Sequence, residues 1–558
     1  MSNKKQFVDI HCHPTMKPFY SSNKHAEKKN IWEFIKESPA CAEIKKSAYG
    51  PLEKFFVKEL EGMAKDSQMN LDSCIKGNLA LLFVSLYPVE RSWFKIRKLM
   101  DIATHNEFIT NSSICSSGFH EKIIREIERV IDQNEEINYF DELVKEYHFL
   151  NSSQARSGSN AKQFFLVNSY EELKPILSNP IGEKMALILN VEGGHSLSRF
   201  DNFEELKNIP FRKVNRKSRS EYRKHKARIL KNIAILKGKE NIDIQVDGQV
   251  ETVHFKHTPF YITFAHHFWN LLCGHADSFG IGADLTLNQS RGKNRRFTAL
   301  GRLVLKEVLY RDPNERRILI DIKHLSIPAR KEFYKIWKYD YEEKGDGFPI
   351  IFSHTAVNGR ELYRAAATSF DDLEDSVFNT SSINMYDHDI QMVHKSGGLI
   401  GIMLSKSRLP GEKALENIKH HLKQIKKHPE RKEELEEENR LEYMKSLTAN
   451  IFHIIRVIGQ KSAWDIISIG SDFDGMINPL EPYKKAEDFR KLSSDLQGYI
   501  EKCQGIEEMN MSSQEMKELM KTYTAQQIVE KIMGQNAIDF TCKYFHDDFL
   551  KNGEKHSL

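Results

Sequence analysis

The stretch FVDIHCHP, residues 7–14, combines two signals. Its apolar and polar residues alternate as in a β-strand, and His11 and His13 stand at the end of that strand. Residues two positions apart on a strand project to the same face, so both imidazoles point the same way. Two neutral imidazoles in this arrangement can bind one divalent ion together. The stretch therefore predicts a first strand that ends in metal ligands.

Short apolar runs with the same character recur along the chain, separated by amphipathic segments such as 91–105 and 297–310. Strands that alternate with helices and are apolar on both faces are typical of a parallel sheet. Eight or nine of them fit a (β/α)₈ barrel, or a doubly wound sheet if the ends do not close. The further runs are LALLFVSLY (79–87), FFLVNS (164–169), ALILNVEGG (186–194), FYITFAHH (260–267), RILIDIKH (317–324), FPIIFSH (348–354), GGLIGIML (397–404) and DIISIGSDFDG (465–475).

Polar residues that can bind metals follow one predicted strand after another, which favours the barrel. In a (β/α)₈ barrel the carboxyl ends of all strands surround one mouth, where such enzymes build their active sites. A single histidine at a strand end is common in any protein, but the recurrence at six strands is hard to assign to chance. The residues concerned are His11, His13, Glu192, His266, His324, His354 and Asp472.

The chain has 558 residues, whereas a (β/α)₈ barrel needs roughly 250. We therefore expect one barrel domain over residues 1–558 that carries large, mainly helical insertions. These lie at about 14–77 and 114–149, 203–256 and 406–456. Segment 212–231 in the 203–256 insertion holds ten Lys or Arg and one acid. It is interpreted as a solvated helix or an oligomer contact, with an anion- or RNA-binding helix as the alternative, and the acidic run 432–439 is a possible partner for it.

Composition narrows the functional class only slightly. A composition of 40% hydrophobic and 29% charged residues is typical of a globular protein, and the small net charge of +4 argues neither for nor against a nucleic-acid or membrane partner. A nucleic-acid partner is not favoured, because only Phe211 and Tyr222 accompany the basic segment 212–231. Seven scattered cysteines without a CxxC pattern argue against a disulfide framework and indicate a reducing compartment. The longest apolar run, 79–87, is too short to cross a bilayer. These features predict a cytoplasmic protein with no membrane partner, and they leave a homo-oligomer open.

The residue types at the strand ends indicate metal-assisted hydrolysis. Glu192 precedes two glycines and could bridge two cations, or form an ordinary strand-end salt bridge. His324 and His354 could hold a second ion against it, because neutral imidazoles suit zinc and related metals. Asp472 could accept a proton from a metal-bound water. Without a GxSxG motif, a serine nucleophile has little support.

The order of these motifs resembles that of the membrane dipeptidase (renal dipeptidase) family of the amidohydrolase superfamily, whose members are binuclear-zinc (β/α)₈ barrels. The resemblance runs from about Val8 to Phe540 outside the insertions. It is carried by NVEGGHSL (190–197), TFAHHFWN (263–270), FTALGR (297–302) with ILIDIKHLS (318–326), PIIFSHTA (349–356) and IGSDFDG (469–475).

The resemblance implies a role for each candidate residue and two divalent metal ions, expected to be zinc. His11 and His13 would bind one ion with Glu192, and His324 and His354 would bind the other while sharing Glu192. Asp472 would move the proton, and His266 would polarise the carbonyl oxygen of a small, peptide-like substrate. His267 is a weaker candidate for the role of His266, because the matched motif has one histidine, at the position of His266. His195, His275 and Asp474 would be supporting residues.

Two departures from the family pattern bear on metal and substrate. The first strand ends in HxH instead of HxD, which removes one negative charge from the metal cluster. Ile383 stands where family dipeptidases have an arginine that binds the substrate carboxylate, and Arg360 or Arg364 are possible replacements. Loss of that charge-assisted contact puts dipeptides in question as substrates.

Three hypotheses follow from the sequence. The leading one is a binuclear, zinc-dependent hydrolase that cleaves an amide or peptide bond in a small substrate, with dipeptides as the default. The second is a metallohydrolase of the same fold that acts on a lactone, cyclic amide or ester. The third is a non-catalytic barrel whose basic insertion binds RNA or a protein partner. Bound metal separates the third hypothesis from the others.

Overall fold

The computed structural model describes residues 6–47, 50, 53–54, 57, 63–96, 106–156, 158, 162–178, 184–278, 289–360 and 377–552. Nine of its strands form one sheet, and two pairs of short strands lie outside it. The strands are β1 Phe7–Cys12, β2 Leu79–Leu86, β3 Ile137–Asn138, β4 Gln163–Val167, β5 Lys184–Glu192, β6 Arg199–Phe200, β7 Ile242–Val246, β8 Gln249–Val253, β9 Tyr261–Thr263, β10 Leu319–Asp321, β11 Ile351–Thr355, β12 Leu399–Ile402 and β13 Ile467–Ile469.

Eight parallel strands form the barrel in the order β1, β2, β5, β9, β10, β11, β12, β13. The first and last strands meet beyond β13, where the Asp472 amide donates to the His11 carbonyl at 3.0 Å and the His13 amide to the Phe473 carbonyl at 2.9 Å. Strand β4 is a ninth strand that pairs with the first half of β5. The predicted (β/α)₈ barrel is confirmed, and a doubly wound sheet with open ends is wrong.

The strands are apolar because both of their faces are covered. All eight residues of β2 and eight of the nine in β5 are buried, as expected when helices pack outside and side chains fill the inside. Two inward-facing carboxylates join strand ends across this core. Asp321 accepts hydrogen bonds from Thr263 Oγ1 at 2.6 Å and Ser353 Oγ at 2.7 Å, which links β9, β10 and β11.

Asp9 has the same function where the barrel closes. It accepts from the amides of His11 at 3.1 Å and Ser471 at 3.0 Å, and from the Ser471 hydroxyl. Burial raises the pKa of Asp9 to about 6 although these hydrogen bonds favour its charged form. The Asp9 side chain on β1 thus accepts hydrogen bonds from Ser471, just after β13, and so joins the first strand of the barrel to the last.

Helices cover the outside of the barrel and form most of the additional chain. The predicted helix 297–310 is present, and the Thr298 hydroxyl caps its start by accepting from the Gly301 amide at 2.8 Å. Of the predicted helix 91–105, the structure describes a 3₁₀ turn at Arg91–Ile96, and 97–105 lie outside the described residues. The α-helices are Met16–Phe19, Ala40–Ser47, Leu71–Lys76, Asn106–Ser117, Glu121–Asp132, Tyr139–Ser152, Tyr170–Leu177, Phe203–Asn208, Phe211–Val214, Ser220–Leu236, Ala299–Leu309, Ile327–Ile336, Asp387–Lys395, Glu412–Lys427, Lys432–Ile458, Phe489–Lys502, Ser513–Leu519, Ala525–Glu530, Asn536–Tyr544 and Asp547–Leu550.

The predicted insertions differ in character, and their boundaries stay predictions. Segment 203–256 is not wholly helical, because β7 and β8 form a hairpin around Asp247 and Gly248. In its basic part, Lys224 and Arg228 form ion pairs with Asp201. Within the described residues, no ion pair joins this part to the acidic run 432–439, whose ion pairs are with close sequence neighbours or with His421.

One disulfide bond joins two helices of the additional chain. Cys41 and Cys115 are paired with their Cα atoms 4.9 Å apart, so the scattered cysteines did not exclude disulfide formation. The predicted cytoplasmic location rested partly on those cysteines, and it stays a prediction. None of the described helices has the length and apolarity needed to cross a bilayer.

Replacing Asp9, whose carboxylate joins the first and last strands, tests how much the stability of the fold depends on this residue. Asp9→Ala leaves several buried donors without an acceptor, and we expect a loss of about 3 kcal/mol in the free energy of unfolding. Asp9→Asn keeps one acceptor and should lose less. Urea titrations followed by circular dichroism measure both, with Asp243→Ala on the exposed hairpin as the control. Equal midpoints for Asp9→Ala and the control would contradict this role.

Candidate metal centre

All seven predicted site residues meet at the carboxyl-terminal mouth of the barrel. Each residue is buried, with an exposed fraction of 8% or less. Residues more than 450 positions apart are brought together because every strand of a parallel barrel ends at this rim. The contributions are His11 and His13 from the end of β1, Glu192 from β5, His266 after β9, His324 after β10, His354 from β11 and Asp472 after β13.

Glu192 lies at the centre of the cluster, with histidine pairs in contact with its carboxylate. Its Oε1 is 3.3 Å from His11 Nε2, and its Oε2 is 3.1 Å from His13 Nε2. The Nε2 atoms of His354 and His324 lie 3.6 and 3.7 Å from Oε1. Two sets of possible metal ligands therefore share the Glu192 carboxylate. The first set is His11, His13, Glu192 and Asp472, and the second is Glu192, His324 and His354.

The positions of these nitrogen and oxygen atoms suit the coordination of divalent cations better than they suit hydrogen bonds between the side chains. His11 Nε2, His13 Nε2 and Glu192 Oε1 are buried without a hydrogen-bond partner. His324 Nε2 and His354 Nε2 face each other at 3.2 Å. Two nitrogens about 2.0–2.1 Å from one tetrahedral ion are separated by roughly 3.3 Å, so such an approach is typical of two ligands of the same ion. Buried polar atoms without partners are costly, and a bound cation would satisfy them.

Hydrogen bonds behind the imidazoles orient these donor atoms. His11 Nδ1 lies 3.2 Å from the Tyr261 hydroxyl, which itself donates to the Ile10 carbonyl at 2.6 Å. The Ser85 hydroxyl lies 3.1 Å from the same Nδ1. Both hydroxyl oxygens can accept from Nδ1–H, and in that tautomer the lone pair is on Nε2. His354 Nδ1 is similarly held by the Ser353 hydroxyl at 2.9 Å. Partners of this kind set the tautomer and the ring orientation of metal-binding histidines.

Asp472 lies above this cluster on a sharp turn. Its Oδ1 is 3.6 Å from His13 Nε2 and 3.8 Å from His11 Nε2. Asp472 has a φ of 62° and His324 a φ of 65°, a left-handed conformation that is costly for residues with a side chain. A Cβ on Gly475 would lie 2.2 Å from Asp472 Oδ1, so the glycine in GSDFDG makes room for the carboxylate.

Glu90 is the site residue that sequence reasoning missed. It is 3% exposed and accepts from His266 Nδ1 at 2.6 Å and from the Phe268 amide at 3.2 Å. His266 Nε2 then faces Glu192 Oε1 at 3.6 Å. Glu90 follows β2 by four residues, so the strand-end rule that identified the other residues could have found it.

The electrostatics differ across the cluster. Burial lowers the pKa values of His324 and His354 well below the usual range, which leaves both rings neutral, as ligands must be. Burial opposes the charge of Glu192, yet His266 and His11 hold its pKa well below the usual value. For His266, burial lowers the pKa, but the carboxylates of Glu192 and Glu90 outweigh it and raise the pKa overall.

The two departures from the family pattern have different outcomes. His13, where the family has an acid, still places Nε2 against Glu192. Ile383 is buried with an exposed fraction of 1% and brings no charge to the mouth. Of its possible replacements, Arg364 lies outside the described residues, and the Arg360 carbonyl accepts a hydrogen bond from the Asp387 amide at 2.9 Å.

The supporting residues make local contacts. His195 Nε2 lies 2.7 Å from the Pro88 carbonyl, and His275 Nδ1 2.9 Å from the Ala276 carbonyl. Asp474 pairs with Lys17 at 3.0 Å. His267 groups with His266 and His324, the nitrogens of all three lying within 4.8 Å of one another.

Comparison with known proteins gives one match in sequence. The family model described as membrane dipeptidase (peptidase family M19) matches residues 261–511, which include β9 to β13. No curated protein sequence matches the chain. The predicted resemblance to the membrane dipeptidase family is confirmed over the matched residues.

Comparison with solved structures finds similarity to two peptidases at low sequence identity. A probable dipeptidase, PvdM, from Pseudomonas aeruginosa is 13% identical, with 85% of this chain and 88% of that chain covered and a TM-score of 0.42. A metallopeptidase from Rhodobacter sphaeroides, liganded with a phosphinate mimic of L-Ala-D-Ala, is 11% identical, with 96% and 99% covered and a TM-score of 0.47. Both TM-scores are below 0.5, so the family resemblance rests on the motifs and the family model.

Measurement of bound metal tests whether the Glu192 carboxylate is a ligand of two ions. We expect purified wild-type protein to bind about two divalent ions per chain, and Glu192→Ala to bind far fewer because both donor sets lose a ligand. His354→Ala should lose mainly one of the two. Mass spectrometry of metals in dialysed protein measures this, with His453→Ala, outside the cluster, as the control. Full metal content in Glu192→Ala would refute the assignment.

Proposed function

We propose that this protein is a binuclear, metal-dependent hydrolase that cleaves the amide bond of a small, dipeptide-like substrate. The observation that supports it most is Glu192, whose carboxylate lies between the pairs His11–His13 and His324–His354. Ordinary ion pairing needs one partner for a carboxylate, whereas a bridging ligand of two cations needs this arrangement. The family match over residues 261–511 supports the same reaction class.

The proposed ligands are His11, His13 and Glu192 for one ion and His324, His354 and Glu192 for the other. Nitrogen and carboxylate donors of this kind suit zinc, which we propose as the metal. When bound, such a pair of ions polarises a carbonyl group and lowers the pKa of water. The remaining residues of the mouth then have to move a proton and stabilise charge.

Asp472 is the proposed proton carrier. Its Oδ1 lies 3.6 Å from His13 Nε2 and 3.8 Å from His11 Nε2, so it would be close to a water held by an ion at this histidine pair. It accepts the proton of the attacking water and returns it to the leaving amine, which would otherwise depart as an unstable anion.

His266 is the proposed stabiliser of the oxyanion. Its Nδ1–H donates to Glu90 at 2.6 Å, and this buried carboxylate stabilises an imidazolium form whose Nε2–H can donate to the carbonyl oxygen. Glu90 is thus a positioning residue that acts through His266.

The second candidate, hydrolysis of a lactone, cyclic amide or ester, is favoured by Ile383, because the family's carboxylate-binding arginine is missing. A substrate screen with metal-loaded protein separates the two. We expect dipeptides to have a higher kcat/KM than lactones, cyclic amides or esters of similar size. Faster turnover of a lactone, cyclic amide or ester than of dipeptides would make the second candidate the better proposal. Absence of both turnover and bound metal would favour a non-catalytic barrel.

Replacing Asp472 tests its role apart from metal binding. Asp472→Asn is expected to lower kcat by about 10²- to 10⁴-fold, because the amide cannot accept the proton. Bound metal and the thermal midpoint should change little. Asp201→Asn, on an exposed carboxylate, is the matched control. Wild-type kcat in Asp472→Asn would rule out this proton carrier.

A further inference from the structure

Six exposed cations from two segments have no acidic partner among the residues that the structure describes. One segment is the turn and first helical turn at 216–223, and the other precedes helix Ala299–Leu309. Charges of one sign repel one another when they are concentrated on a surface, so such a surface suits a ligand of opposite charge. We call these six residues the basic patch: Arg216, Lys217, Arg219, Arg223, Arg295 and Arg296.

Hydrogen bonds bring the two segments of the basic patch together. Asn215, which directly precedes Arg216, accepts a hydrogen bond from the Ala299 amide with its Oδ1 at 2.8 Å. Arg296 is three residues before Ala299. The Arg219 amide donates to the Arg216 carbonyl at 3.0 Å, which folds the first segment into a turn. Cations that are about 80 positions apart in sequence therefore form one surface.

The basic patch lies on the mouth side of the barrel. Helix Ala299–Leu309 follows β9 and leads back to β10, so it begins at the carboxyl-terminal ends of the strands. Helix Ser220–Leu236 runs beside it in the same direction, because Lys237, directly after its end, donates to the Tyr310 carbonyl at 2.8 Å. The start of this helix, which carries the basic residues, is therefore at the mouth.

The second segment of the basic patch is held next to a proposed metal ligand. The Ser326 hydroxyl, two residues after His324, donates to the Arg295 carbonyl. The Gly274 amide, in the connection after β9, donates to the Arg296 carbonyl at 3.2 Å. Both arginines thus have a fixed backbone position beside the candidate metal centre.

The acids close to the basic patch are paired with other cations. Glu221, the one acid of the basic segment, forms an ion pair with Lys213 at 2.8 Å. Asp201 is shared by Lys224 and Arg228. These acids therefore leave the charge of the patch available to a ligand.

The two segments lack the side chains that other kinds of partner need. Phe211 is half-buried against Trp269, with ring centroids 6.1 Å apart, and Tyr222 is buried, so neither ring is free to stack on the bases of a single strand. The isoleucines of helix Ser220–Leu236 are buried and cannot insert into a membrane. None of the large apolar side chains exposed on the described residues lies in the patch, whereas protein interfaces have an apolar core.

We propose that the basic patch binds the phosphate backbone of a nucleic-acid duplex without reading its sequence. Five of its six cations are arginines, whose planar guanidinium groups bind phosphate oxygens in pairs. The sequence argued against a nucleic-acid partner because rings are missing, but phosphate contacts need no rings and supply most of the sequence-independent affinity. This binding goes beyond the proposed function, because it involves no metal and none of the residues around Glu192.

Titration of labelled duplexes tests the basic patch. RNA and DNA duplexes of about 20 base pairs are titrated with wild-type protein at roughly 50 to 200 mM salt, and fluorescence anisotropy measures binding. Six phosphate contacts predict that the logarithm of the DNA affinity falls with the logarithm of salt with a slope of about −5. Arg216→Gln, Lys217→Gln and Arg219→Gln in one variant should weaken binding about 10-fold or more and reduce the slope by about 3.

A second variant and a charge-matched control complete the experiment. Arg295→Gln with Arg296→Gln should also weaken binding, since both segments contact the same duplex. The control replaces three lysines that are exposed on helix Glu412–Lys427 by glutamine, which removes the same charge as the triple variant and should keep close to wild-type affinity. These lysines are Lys423, Lys426 and Lys427. Thermal midpoints show whether each variant is folded.

Several results would overturn the inference. These are no duplex binding by wild-type protein at the lowest salt, wild-type affinity in the triple variant, or equal losses in the triple variant and its control. Tighter binding of poly-L-glutamate, of a single strand of the same length, or of phosphatidylserine-containing vesicles than of duplexes would show that the patch has another kind of partner.

The outcome is separable from that of the proposed function, because protein stripped of metal with EDTA should bind duplexes as tightly as zinc-loaded protein. Duplex binding without hydrolysis of any small substrate would uphold the patch and refute the hydrolase. Hydrolysis without duplex binding would uphold the hydrolase and refute the patch.

Discussion

The rest of the structure depends on the contacts of the buried Glu192 carboxylate with the Nε2 atoms of five histidines. A charge at this depth is stable only with compensation, and the compensation comes from strand ends far apart in the chain. The barrel brings those ends to one rim, where hydrogen bonds to the buried carboxylates of Asp9 and Asp321 join neighbouring strands. Fold and site are therefore one arrangement: the closure that satisfies Asp9 also places His11 beside Asp472.

Much of this could be predicted from the sequence because the signals are local. Strands β1, β2, β5 and β11 are short apolar runs whose polar ends can be read directly, and the parallel barrel follows from their alternation with helices. His11, Glu192 and His354 were found in this way, since a metal-competent residue directly after a buried strand is a pattern within a few residues.

Other features escaped because they depend on contacts between distant segments. Glu90 follows a predicted strand as the other site residues do, but its role depends on a hydrogen bond to the His266 ring, 176 positions away. The β7–β8 hairpin was missed inside a segment dominated by basic helical sequence, and the Cys41–Cys115 bond was missed because spacing does not reveal pairing.

Metal location in a crystal tests the central claim most directly. Crystals of zinc-loaded protein, measured on both sides of the zinc absorption edge, would show where bound ions lie. The account predicts two anomalous peaks roughly 3.5–4 Å apart, one beside His11 and His13 and one beside His324 and His354, with the Glu192 carboxylate between them. A map without peaks at Glu192, or with ions bound elsewhere in the chain, would contradict it.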